Sequence, residues 1–266
     1  MPQIHPTAIV ASSARLARDV VIGPYCIVGE QVELGAGVSL RAHVVIDGRT
    51  TVGAATRIFP FASIGQEPQD LKYRGEESSL VIGCRNIIRE YVTMNPGTTG
   101  GGMVTRVGDD CLFMVGAHVA HDCQIADHVI MANNATLAGH VVIEEYAFLG
   151  GLCAVHQFVR IGRHAMIGGM SGVERDVIPY GQVMGDRARL TGLNIIGMQR
   201  RGFSREDIQG LRNAYQFLFH APGTLSDRVG ETALRFAGIG PVEDIVQFIR
   251  ADSSRAICQP KEMNGG

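Results

Sequence analysis

Between Val107 and Ile143 the chain reads VGDDCLFMVGAHVAHDCQIADHVIMANNATLAGHVVI. An apolar residue falls on every sixth position: Val107, Phe113, Val119, Ile125, Met131, Leu137 and Ile143. Neither the 3.6-residue period of a helix nor the alternation of a half-buried strand produces that spacing. Followed outward, the register begins at Ile4, Val10, Leu16 and Ile22 and runs to Ile64. It resumes at Ile82, Ile88 and Met94, and then continues from Val107 to Val173. It lapses over residues 65–81 and 95–106. Glycine often follows the aliphatic, as at Ile22-Gly23, Val52-Gly53 and Leu149-Gly150. Each hexad then supplies a short strand and a corner, with the aliphatic inside and glycine taking the corner dihedrals. Three hexads close a triangular coil, and coils stack about 4.8 Å apart. The fold expected over 1–186 is mainly β, a parallel β-helix built as a hexapeptide-repeat solenoid.

The two lapses are expected to be loops expelled from the coil. They carry Gln66 to Tyr73 and Asn95 to Gly102. Loops of that length on a rigid scaffold usually serve function. Beyond Pro179 the pattern changes. Ser204 with Asp207 reads as a capping box, and Ile208, Leu211, Ala214, Tyr215, Leu218 and Phe219 follow at helical spacing. Thr224 with Asp227 caps another helix, and Pro241 is expected at the first position of a third. A small C-terminal α-helical domain is expected over 187–258, with a fraying tail over 259–266.

Composition narrows the function. Lysine and arginine total 24 against 26 aspartates and glutamates, a net charge of −2. That balance speaks against a nucleic-acid partner, which needs a basic face. The six cysteines form no Cys-x-x-Cys pair, the N-terminus has no signal-peptide pattern, and no apolar run approaches the ~20 residues of a membrane span. A cytoplasmic protein with reduced thiols is expected. Lysine occurs only at Lys72 and Lys261, so Lys72, inside the first loop, stands out.

The coil length locates a candidate site. His121 lies two residues after Val119; one coil of 18 residues later comes Gly139, and one more brings Gln157. Asp122 falls beneath His140 in the same way, and His156 adjoins Gln157. These six residues share one corner over three coils. A histidine of near-neutral pKa suits a general base for a weakly acidic hydroxyl. Asp122 is the candidate to fix its tautomer, and the Gly139 N–H could stabilise an oxyanion. No Gly-x-Ser-x-Gly elbow is present, which speaks against a covalent serine intermediate. Arg200 and Arg201 could clamp phosphate. His118-x-x-His121 could suggest a metal, although residues three apart straddle a corner of such a coil. A zinc-dependent lyase of the carbonic-anhydrase type, and a non-catalytic scaffold, stand as competing readings.

The ordered strings Asp70-Leu71-Lys72-Tyr73, Gly97-Thr98, His118-Val119-Ala120-His121-Asp122-Cys123, Asn133-Asn134-Ala135-Thr136-Leu137-Ala138-Gly139-His140, Ala154-Val155-His156-Gln157-Phe158 and Arg200-Arg201-Gly202-Phe203-Ser204 together resemble the acyl-[acyl-carrier-protein]–UDP-N-acetylglucosamine O-acyltransferases. The likeness runs from Ile4 to about Phe219. It implies left-handed winding, a homotrimer, and the first step of lipid A biosynthesis: transfer of a 3-hydroxyacyl group from acyl carrier protein to the 3-position of UDP-N-acetylglucosamine. It implies no cofactor and no metal. By the same resemblance His121 is the general base, Asp122 its partner and Gly139 the oxyanion donor. Asp70, Lys72, His118, His140, His156 and Gln157 would contact sugar, pyrophosphate or acyl chain. Asn194, Arg200 and Arg201 would hold the nucleotide across a subunit boundary, and Gly169 would set acyl length. Arg160, Arg163, Arg187 and Arg189 are candidates to steer the acidic carrier protein. Two positions depart from the family pattern: Asn95-Pro96 stands where members carry His-Arg, and Ile196 replaces a glutamate. A 3-amino sugar therefore stays open as the acceptor.

Overall fold

The structure is a computed structural model that describes residues 1–251 and 253–261. Two-residue strands, one per hexad, stack into three parallel sheets that form the faces of a prism. The first face runs from Gln3–Ile4 to Met166–Ile167, the second from Ile9–Val10 to Gly172–Val173, and the third from Arg15–Leu16 to Arg160–Ile161. Every hexad aliphatic from Ile22 to Val173 points inward and is at most 4 % exposed. Ile4, by contrast, is 44 % exposed, because the first coil has no coil beneath it.

A second inward position lies two residues before each aliphatic. Val20, Cys26, Val44, Thr56, Asn86, Cys111, Ala117, Cys123 and Cys153 occupy it, all buried. These side chains fill the angle between faces, where a larger one would not fit. Four of the six cysteines are thus small core residues, and burial pushes the Cys111 thiol up to about 12.

The corners differ from expectation. Left-handed backbone falls on the third residue after the aliphatic, and side chains occupy it: Tyr25, His43, Phe61, Asp122, His140 and His164 all have φ between 56° and 65°. The glycine directly after the aliphatic answers a different need. A Cβ on Gly53 would sit 2.5 Å from the carbonyl carbon of Gly83 in the next coil. Glycine is there for close stacking, and the turn is made two residues later.

The strands Arg49–Val52, Ser79–Ile82 and Val104–Val107 are longer and pair in register over four residues. Residues 79–81 and 104–106 therefore belong to the third face. The expelled loops are correspondingly shorter, 65–78 and 95–103. Asn95 clasps them together, its amide donating to the carbonyls of Gln66 at 2.9 Å and Glu67 at 3.1 Å.

An antiparallel hairpin, Gly181–Met184 with Arg189–Leu193, ends the first face. It leads into four helices: α1 (Ile195–Arg200), α2 (Arg205–His220), α3 (Leu225–Arg235) and α4 (Gly240–Arg250). The sequence offered no sign of α1. Ser204 caps α2, and Thr224 with Asp227 forms a full capping box on α3. Pro241 is the second residue of α4, where the first expectation put it one position earlier. None of these helices is long and apolar enough to cross a membrane, among the described residues.

Ion pairs and a stacked ring fasten the C-terminal segments in place. Asp176, fully buried, takes the Arg160 guanidinium at 2.7 Å and the Ser253 hydroxyl at 2.6 Å, while Arg160 also lies over the Phe248 ring. Arg163 reaches Asp244, and Arg187 pairs with Glu174 at 2.7 Å. The Arg160 side chain is thereby only 18 % exposed, whereas that of Arg187 stays 77 % exposed. The Gln259 carbonyl accepts from Leu190 N–H at 3.0 Å. The rest of the expected tail, 262–266, lies outside the described residues.

His164 shows how burial shapes acid stability. It stacks between Tyr146 and Tyr180, with ring centroids at 4.9 and 5.3 Å. Burial first, then the charges of Arg201 and Arg163, push its pKa down to about 4 from 6.5. Between those values the unfolded chain binds a proton that the folded chain refuses. Stability therefore falls as the pH drops through that window, by about 3 kcal/mol at full effect. His164→Phe keeps the stack and removes the titration. Its urea midpoint is expected to change less than that of the parent between neutral pH and pH near 4; an equal change in both proteins would remove His164 from acid unfolding.

Candidate active site

Val119 pairs with Leu137, and Leu137 with Val155, on the second face. In-register stacking carries into the corner that follows. His121, Gly139 and Gln157 form one column; Asp122, His140 and Phe158 form the next. A Cβ on Gly139 would lie 2.4 Å from Cε1 and 2.6 Å from Nε2 of His121. The imidazole thus rests against the glycine backbone one coil up. Among the described residues the Gly139 N–H has no hydrogen-bond partner, while its carbonyl accepts from Phe158 N–H.

His121 Nδ1 lies 2.8 Å from Asp122 Oδ2. The Asp122 side chain is fully buried and that of His121 is 15 % exposed. A carboxylate only accepts, so the ring donates from Nδ1 and its lone pair falls on Nε2. His140 stands edge-on to His121 with centroids 5.0 Å apart, and stacks on Phe158 at 4.4 Å. Its pKa is lowered, chiefly by burial. Asp70 and Lys72, from the first loop, lie close enough for their opposite charges to act on His140. His118 bonds Thr93 Oγ1 at 2.7 Å, and burial lowers its pKa as well. Both rings are therefore biased to the neutral form, suited to hydrogen bonding at neutral pH.

His156 and Gln157 are exposed at the upper end of this corner, and the Arg255 guanidinium donates to His156 Nδ1 at 2.9 Å. The remaining candidates lie on other edges of the prism. Asn194 caps α1 and donates to the carbonyl of His164, and Arg201 covers the Tyr146 ring at 4.2 Å. Tyr146 and His164 are corner residues of the third face. Arg200, exposed at the end of α1, lies in the same region. Gly169 follows Ile167 of the first face, its Cβ position 3.2 Å from the Gly151 carbonyl. One chain thus holds its candidate residues on three edges. Sequence reasoning gave no role to Thr93, Thr98 and Thr105, which hydrogen-bond His118 and Asp122.

His121, Asp122 and His140 bring possible metal-ligand atoms within 4.8 Å of one another. Asp122, however, already accepts from Thr98 N–H, Thr98 Oγ1 and His121.

A solenoid of six-residue repeats with a histidine–carboxylate pair at one corner defines a transferase of the hexapeptide class. Residues 13–48 and 105–139 match the model of the bacterial transferase hexapeptide (six repeats), and residues 176–258 match that of the UDP-N-acetylglucosamine O-acyltransferase second domain. The acyl-[acyl-carrier-protein]–UDP-N-acetylglucosamine O-acyltransferases of Azorhizobium caulinodans and Caulobacter vibrioides are each 53 % identical to it, covering 97 % of this chain and 95 % and 98 % of theirs. The structure of LpxA from Acinetobacter baumannii superposes with a TM-score of 0.89 at 42 % identity, over 96 % of this chain and 99 % of that one. The chain belongs to the acyl-[acyl-carrier-protein]–UDP-N-acetylglucosamine O-acyltransferase family, and its β-helix is left-handed.

Proposed function

We propose that this enzyme moves a 3-hydroxyacyl group from acyl carrier protein to the 3-hydroxyl of UDP-N-acetylglucosamine, the first step of lipid A biosynthesis, by direct transfer. The observation that supports the mechanism is the stack of His121 on Gly139 with Asp122 behind it. His121 Nε2 takes the proton of the acceptor hydroxyl as its oxygen attacks the thioester carbonyl. The oxyanion that forms accepts from the Gly139 N–H. On collapse the carbon–sulfur bond breaks, and the leaving thiolate takes the proton back from His121. The thioester supplies the driving force, so the step calls for no metal and no cofactor.

Asp70, Lys72, His118 and His140 line the same corner and are assigned to the acceptor and donor, with His156 and Gln157 above them. Asn194, Arg200, Arg201 and Gly169 lie on the other two edges. In a closed three-fold of parallel prisms a neighbour's edge would face His121, so a homotrimer completes the site. We place the enzyme in the cytoplasm, on its six unpaired cysteines and its carrier-protein donor.

The test is mass spectrometry of products formed from 3-hydroxyacyl carrier proteins of mixed chain length, with UDP-N-acetylglucosamine and its 3-amino analogue offered side by side. An O-acylated nucleotide sugar is expected. Acylation of the amine alone would reassign the acceptor, and no acylated product from either would overturn the proposal.

A further inference from the structure

The Asp122 carboxylate is gripped from one side by a single residue of the second loop. Thr98 N–H donates to Oδ1 at 2.9 Å, and the Thr98 hydroxyl donates to Oδ2 at 2.6 Å. Oδ2 is also the oxygen that accepts from His121 Nδ1. Thr98 is 4 % exposed and extended (φ −133°, ψ 166°), just ahead of the short 3-10 turn Thr99–Gly101.

Two glycines let the loop come this close. A Cβ on Gly97 would lie 2.8 Å from Asp122 Oδ1, and one on Gly101 2.0 Å from its Cγ. On the opposite side the Thr105 hydroxyl accepts from Asp122 N–H at 2.7 Å, which holds Asp122 in its left-handed corner at φ 60°. The loop is itself fastened, by Asn95 to the first loop and by the Thr99 hydroxyl to Glu76 at 2.6 Å. A buried carboxylate would be satisfied by any donors. Here both come from one residue and leave the edge of Oδ2 facing the base.

We propose that Thr98 is a positioning residue for this reaction: resting on the general-base reading of His121, it fixes the rotamer of Asp122 and disperses its charge, so that Nδ1 is held and Nε2 stays neutral. Without the hydroxyl the carboxylate turns more freely. Its charge then concentrates on Oδ2 and stabilises the imidazolium. The other charged or titratable groups around the pair are His118, His140, Cys123, Asp70, Lys72 and Glu76, and a change at Thr98 removes none of them.

Thr98→Val is nearly isosteric and keeps the N–H. Steady-state kinetics on both substrates across neutral pH, with a thermal melt, test it beside Thr98→Ser and His121→Ala. Thr98→Val is expected to lower kcat about ten-fold, the scale of one hydrogen bond to a charged group, with KM little changed. The acid limb of its pH profile is expected to move to higher pH, and Thr98→Ser to restore both. Native kcat with an unmoved limb in Thr98→Val would overturn the proposal. So would a loss of activity that tracks the melt, leaves the limb in place and is not restored by serine. Near-native turnover in His121→Ala is a different result: it sinks the base reading itself.

Discussion

His121→Ala is expected to fold as the parent does and to lose about 10²-fold or more in kcat, the scale of a general base. The fold tolerates the change because the imidazole sits at a corner of the prism and fills no part of the aliphatic interior. It touches Asp122, the edge of His140 and the backbone of Gly139. Asp122 retains both donors from Thr98 after the ring is removed, so no naked charge is left buried. KM is expected to move less than kcat, because proton transfer belongs to the transition state. The acid limb of the rate profile is expected to vanish with the base. Turnover within a few-fold of the parent, in a variant with the parent's melting temperature, would remove His121 from the chemistry.

Gly139→Ala is expected to be nearly as damaging, with hardly any change in stability. The backbone at residue 139 is not in the left-handed region, so alanine suffers no conformational strain there. The new methyl instead collides with the imidazole at 2.4–3.0 Å. The ring is the mobile end of a side chain and swings aside, breaking its bond to Asp122. The methyl also crowds the amide assigned to the oxyanion. Loss of one such donor costs about 10²–10³ in kcat, and displacement of the base adds to it. Kinetics and circular dichroism together decide the matter. A folded Gly139→Ala enzyme with the parent's kcat would show that neither the amide nor the resting position of the ring matters to the reaction.

The hexad rule was legible because one side of each strand must be apolar every time the chain turns the same corner. The partner position two residues earlier was not, since Val, Cys, Thr, Ala and Asn all fit that narrow angle and share no simple pattern. Glycine was visible at the right place for the wrong reason: it clears the next coil, while residues such as Asp122 and His140 bear the left-handed turn. Charge in a sequence does not tell whether a partner waits elsewhere. Arg160 pairs with Asp176, 16 residues further on, and Arg163 reaches Asp244, 81 residues further on.

Linear text was enough for the solenoid, its interior, the helical end and the column of His121, Gly139 and Gln157. Those follow from periodicity, since a coil of constant length converts counting into height. The grip of Thr98 on Asp122, the clasp of Asn95 on the first loop, and the division of Asn194, Arg201 and Gly169 among separate edges could be seen only in the folded molecule. The two expelled loops interrupt the count between Ile64 and Val107, and where an interrupted chain comes to rest is set by packing and hydrogen bonds rather than by repeat.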